Sequence, residues 1–249
     1  NKVAIVGSGQ TKFSKDDKNI EELLFESSDK CLQSVHNCNS NDVQGVLVST
    51  NDNSKYLGAI LSETMGIEPQ ISHSIEHLCS SGTNAIISAY SYISSGLSDI
   101  ILVSGAESAT NPGQVLEWDK SRGAFEHPIY WASMLTKSHK RKFQTTDEEL
   151  AIVSAKNHKQ AMDNPFAYSN EPRTISEVMN SKQITEDLRI LDCSRSCSGS
   201  SSILLASEEK AREISDQPIW IRGIGQKTTS ASFTKNTLEE IESTRIAAN

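Results

Sequence analysis

The sequence predicts an α/β protein, a mostly parallel sheet with helices on both faces, carrying one irregular insertion. Three observations lead there. The first half alternates short β-branched apolar runs with segments of helical spacing. That is the pattern of strands joined by helical crossovers to parallel neighbours. From residue 107 to residue 198 the alternation weakens around Pro112, Trp118, Pro128 and Trp131. Apolar runs then return. The expected organisation is a core over residues 1–106, an irregular, partly helical insertion over 107–198, and a return to the core over 199–249.

Each element has its own signature. Lys2 to Gly7 is apolar and β-branched, a buried strand. Asn19 to Val35 places Ile20, Leu23, Leu24, Ser27, Cys31 and Val35 on one helical face. Asp42 to Thr50 holds Val43, Val46, Leu47 and Val48, the next strand. Tyr56 to Met65 is a short helix that Gly66 ends as a C-cap. Gln70 to Ile75 is a strand, Ala85 to Tyr90 belongs to a largely buried helix, and Ile100 to Val103 closes the series. Within the insertion, Thr146-Asp147-Glu148-Glu149 starts a helix, with Thr146 as N-cap and Glu149 at the third helical position. Pro165 and Pro172 end that region, and Thr174 to Met179 opens another short helix. Ile203 to Ala206 is buried, Pro218 to Gly225 is a strand, and Thr237 to Ala248 is an amphipathic helix.

Composition narrows the functional classes. The chain has 249 residues, enough for a substantial core, and a net charge of −8, so no general basic surface invites nucleic acid. Five cysteines at uneven spacing fit free thiols in a cytoplasmic chain. No apolar run reaches the roughly 20 residues that span a bilayer.

The residue that most invites chemistry is Cys79, in the run Ile75-Glu76-His77-Leu78-Cys79-Ser80-Ser81-Gly82-Thr83-Asn84-Ala85. It stands where an extended segment gives way to a helix. Unpaired N–H groups and the positive end of the helix dipole favour a thiolate there, as a nucleophile needs. A buried structural cysteine is the competing reading.

Cys79-Ser80-Ser81-Gly82 resembles the nucleophile motif of the thiolases. Val3 to Phe13 resembles the opening of the archaeal and sterol-carrier-protein-type branch, and Val103-Ser104-Gly105-Ala106-Glu107-Ser108 the strand and turn after the nucleophile helix. Lys156-Asn157-His158-Lys159 with Asn164-Pro165-Phe166-Ala167 is similar to a further segment of that branch. The resemblance implies a thiolase-like layered fold whose insertion is the loop domain. It implies that Cys79 takes an acyl group from a coenzyme A thioester and passes it on in a Claisen condensation, acetyl-CoA to acetoacetyl-CoA, or the reverse. Coenzyme A thioesters are then substrates, with no covalently bound cofactor. His158 and Lys159 are candidates for the coenzyme A phosphates, against a plain basic helix face. The family also implies a homodimer or dimer of dimers, with HMG-CoA synthase and an acyl-CoA-binding OB-fold protein as partners. It adds a second half that supplies a histidine on a glycine-rich loop, and none of the six histidines here has that context. A related condensing enzyme, such as an HMG-CoA synthase or ketoacyl synthase, and a non-catalytic acyl-CoA-binding scaffold remain as alternatives.

Other candidates are weaker. Gly7-Ser8-Gly9 lacks the third glycine of a dinucleotide-binding turn and reads as a close-packed turn. Cys193 and Cys197 have no second ligand pair nearby, so no metal site is expected. His77 reads as a satisfied core or interface group and Glu107 as a structural acid. In Ser198-Gly199-Ser200-Ser201-Ser202 the family's acidic residue is missing, where thiolases open a helix.

Overall fold

The computed structural model describes residues 2–249 except 16, 52, 110–122, 124, 126, 233, 234 and 236. Pro112 and Trp118 therefore lie outside the described residues. The chain divides into two units, Asn1–Gln114 with Ser196–Gly223, and Val115–Arg195 with Ile224–Asn249.

The first unit is built on a six-stranded sheet, in the order β3-β2-β4-β5-β1-β6. Its strands are β1 (Val3–Gln10), β2 (Gly45–Ser49), β3 (Ile71–Ile75), β4 (Ile100–Glu107), β5 (Gly199–Ser207) and β6 (Ile219–Trp220). β2 pairs parallel with β3 and β4, whereas β5 pairs antiparallel with β4 and β1, and β6 antiparallel with β1. Four strands thus run one way and two the other.

Period-two alternation sends side chains to two cores. Ala4, Val46, Val48, Leu102 and Leu204 join α1 (Ile20–Gln33), α2 (Leu57–Met65) and α7 (Glu208–Ile214) on one face. Val3, Leu47, Ile101, Val103 and Leu205 meet α3 (Ser81–Ser94) on the other. Helices lie on both faces, as expected. α1 begins at an Asn19–Glu22 capping box, and Gly66 (φ 64°) ends α2.

Several expectations need correction. α3 buries only the stripe Ser81, Ala85, Ala89 and Ile93, because one face meets the sheet and the rest does not. Gly7 and Gly9 sit inside β1 rather than in a turn. A Cβ on Gly9 would come within 2.2 Å of the Ser27 carbonyl, so glycine lets α1 lie directly on the strand. Ser198 precedes β5 and residues 199–202 form its first part, so this stretch does not open a helix. Ser198, Ser200 and Ser202 are buried at period two. The strand near Pro218 shrinks to β6, which pairs only with Ala4 and Ile5.

The second unit contains α4 (Pro128–Phe143), α5 (Asp147–Ala161), α6 (Ile175–Met179) and α8 (Glu242–Ala247). α5 and α6 start at the capping boxes Thr146–Glu149 and Thr174–Glu177. α4 replaces part of the expected irregular stretch. Pro128 is at its first turn and His127 Nδ1 accepts the Ile129 N–H at 3.2 Å. The helix expected over Thr237 to Ala248 is confined to α8, because Ile241 leaves helical geometry (φ −95°, ψ 79°).

Candidate functional site

β2, β3 and β4 are parallel neighbours, so the loops following them leave one edge of the sheet, the usual location for sites in such folds. Cys79 is in one of these loops. β3 ends at Ile75, a single 3-10 turn spans Leu78–Ser80, and α3 begins at Ser81. Cys79 therefore sits one short turn ahead of the helix, and it is exposed.

Hydrogen bonds hold this turn tightly. The Ser81 hydroxyl accepts the His77 N–H and donates to the Leu78 carbonyl, both at 2.7 Å. The Leu78 N–H goes to Glu76 Oε1 at 2.7 Å, and the Ser80 N–H to the His77 carbonyl at 3.1 Å. The Ser81 N–H is bound by the Leu78 carbonyl. The Cys79 N–H has no acceptor among the described residues. Leu78 is left-handed at φ 47°, and Tyr56, on the loop after the neighbouring strand β2, is so at φ 62°. Bulky residues adopt that region only under constraint.

Below the turn the strand ends are small. A Cβ on Gly82 would meet only the Ser49 hydroxyl, at 3.8 Å, and one on Gly105 would come within 2.7 Å of the same oxygen. Ser49 Oγ donates to the Ser104 carbonyl at 3.4 Å. Glu107 ends β4 and ties in the β2 loop, its Oε1 accepting the Asn51 N–H at 2.5 Å and the Thr50 hydroxyl at 3.4 Å. It is exposed rather than the buried acid expected, and its carboxylate braces the loop after β2. His77 is also exposed, two residues past the end of β3, so it is not a core histidine.

The other four thiols are set apart by burial. It pushes the Cys31 thiol up to about 12 and the Cys38 thiol up to about 11, and it raises Cys193 and Cys197. His158 and Lys159 occupy the last turn of α5 in the second unit, where cations complement the helix carbonyl end. The sequence did not reveal Ser81, Glu76 or the strain at Leu78. Serine there reads as one more small residue, and leucine carries no hint of positive φ.

Fold and site together define a layered α/β protein presenting an exposed thiol at a strand-to-helix turn. The sequence matches the family model "Thiolase, N-terminal domain" over residues 3–187, and the chain belongs to the thiolase family. It is 28% identical over 262 residues to the acetyl-CoA acetyltransferase of Methanothermobacter thermautotrophicus, a match covering 99% of this chain and 68% of that one. Sterol carrier protein 2 of Bos taurus is 27% identical over 84% of this chain and 42% of its own length. Among solved structures, the Ltp2-ChsH2(DUF35) aldolase superposes with a TM-score of 0.81 at 22% identity, covering 99% of this chain and 65% of that one.

Proposed function

We propose that this chain carries the nucleophile of an acetyl-CoA C-acetyltransferase. Cys79 Sγ attacks the thioester carbonyl of acetyl-CoA, the carbon–sulfur bond to coenzyme A breaks, and the departing thiolate takes up a proton. A second acetyl-CoA, deprotonated next to its carbonyl, then receives the acetyl group as acetoacetyl-CoA, and Cys79 is released. Thiolysis runs the same steps backwards.

The observation that supports this best is the pairing of an exposed Cys79 thiol with its own N–H, which has no acceptor among the described residues. Its neighbours' N–H groups are held within the turn. A free amide beside the nucleophile suits the oxyanion that develops on the attacked carbonyl. In this reading His158 and Lys159 serve the coenzyme A phosphates. Similarity to the Ltp2-ChsH2(DUF35) aldolase and to benzoylsuccinyl-CoA thiolase subunit BbsB of Thauera aromatica supports work within a multi-chain assembly. An acyl-CoA-binding OB-fold protein is the partner this reading names.

The test is incubation with acetyl-CoA followed by peptide mass spectrometry. An acetyl group on the Cys79 peptide, absent after Cys79→Ser, is the expected result. Folded protein that stays unlabelled favours the non-catalytic scaffold.

A further inference from the structure

We propose that Ser81 is a positioning residue for Cys79, its one hydroxyl clasping the turn that presents the thiol. This rests on the reading of Cys79 as the acyl acceptor. The Ser81 side chain is buried, with 4% of the residue exposed, and spends neither of its hydrogen bonds on another element. Both return to the turn, one on His77 and one on Leu78, at 2.7 Å each. They bracket Cys79 from the amino-terminal side while Ser81 itself follows it.

What the clasp holds is a strained backbone. Leu78 at φ 47° lies in the left-handed region, which leucine adopts only under constraint. Removing the hydroxyl leaves the His77 N–H without its acceptor and takes one of two donors from the Leu78 carbonyl, which lets Leu78 relax. Rotation there re-aims the next peptide unit, which carries the Cys79 N–H and sets the direction of its Cβ. α3 stays in place, because Ala85, Ala89 and Ile93 pack it on the sheet and alanine is a good helix residue at position 81. The expected loss is therefore of orientation, not of fold. Orientation matters more to acyl transfer than to simple alkylation. The first needs Sγ and the amide aimed at one carbonyl, and the second needs only an accessible thiol.

The experiment compares wild type, Ser81→Ala and Ser81→Thr in two reactions at Cys79, acetylation by acetyl-CoA and alkylation by iodoacetamide, both followed on the Cys79 peptide. Acetylation should fall about 10- to 100-fold in Ser81→Ala, alkylation should stay within about twofold, and Ser81→Thr should recover most of the acetylation. Unchanged acetylation in Ser81→Ala overturns the proposal, as does a proportional loss of both reactions with a lowered melting temperature. Absence of acetylation in wild type defeats the acyl-transfer reading instead. Hydrogen exchange then judges the clasp alone. Faster exchange confined to residues 77–80 in Ser81→Ala, restored in Ser81→Thr, supports it, and unchanged exchange sinks it.

Discussion

At the scale of single residues, steric and ionisation effects give the sharpest expectations. Gly9 faces the backbone of α1, with the Ser27 carbonyl at 2.2 Å and the Cys31 nitrogen at 2.4 Å from any Cβ. Neither is a flexible side-chain end. Gly9→Ala should therefore destabilise the protein by about 2–3 kcal/mol in urea denaturation. A loss below about 0.5 kcal/mol would show that α1 does not lie on β1 as described.

The buried Cys31 and half-buried Cys38 thiols link stability to pH. Cys31 is held at about 12 by burial first and the neighbouring Cys38 second, and Cys38 at about 11 by burial and Asp42. An unfolded thiol ionises near about 8.5. Below that pH both states keep the proton and the contribution is fully present. Above it the unfolded chain gives up protons that the folded chain retains, so stability falls until the folded groups titrate at about 11 and about 12. The urea midpoint should decline across this alkaline window. Cys31→Ala should lower stability at neutral pH yet flatten the decline, and an unchanged slope would contradict the assignment.

At the scale of elements, a serine network joins α1 to the centre of the sheet. Ser27 Oγ lies 2.6 Å from Ser200 Oγ and 2.7 Å from Ser202 Oγ, Ser104 Oγ lies 2.7 Å from Ser202 Oγ, and Ser200 Oγ donates to the Gly105 carbonyl at 2.9 Å. All four serines are buried. Ser202→Ala takes one partner each from the Ser27, Ser28 and Ser104 hydroxyls, which keep their other contacts, and should cost about 1 kcal/mol by denaturant titration. Ser28, also buried, bonds Ser104 and Ser202 through its hydroxyl. Replacing Ser27, Ser28, Ser104, Ser200 and Ser202 together by alanine should cost less than the summed single changes, since no orphaned hydroxyl remains among them. Additive losses would show that the five act independently.

This network also marks what the sequence concealed. Serine has no strong strand preference, so a serine-rich run resembles a linker, and only the period of two at Ser198, Ser200 and Ser202 hinted at a strand. Strand direction was equally hidden. A long insertion between β4 and β5 permits return in either sense, whereas a short helical crossover enforces parallel pairing. The apolar elements β1, α1, β2, α2, β3 and β4 were legible because burial on one or two faces imposes a period. α4 is less legible, because Pro128 and Trp131 interrupt the strand-and-helix alternation, although proline is well suited to a helix's first turn.

At the scale of the whole molecule, the fold places one exposed cysteine where three parallel strands send out their loops. The position of Cys79 was readable from the strand-to-helix change and the resemblance. The clasp around it was not, because it consists of a hydroxyl and a backbone angle that residue types do not announce. No helix among the described residues is long and apolar enough to cross a membrane. The chain covers about two thirds of the length of the archaeal acetyl-CoA acetyltransferases it matches.

Transfer of an acyl group from coenzyme A to Cys79, as proposed above, is read from the burst of free coenzyme A on mixing the protein with acetyl-CoA, followed by a thiol-independent assay. Release approaching one equivalent per chain is expected, with the acetyl group retained on Cys79 and no burst from Cys79→Ser. A burst that survives Cys79→Ser, or an acetyl group that settles on Cys193 or Cys197 instead, would contradict it.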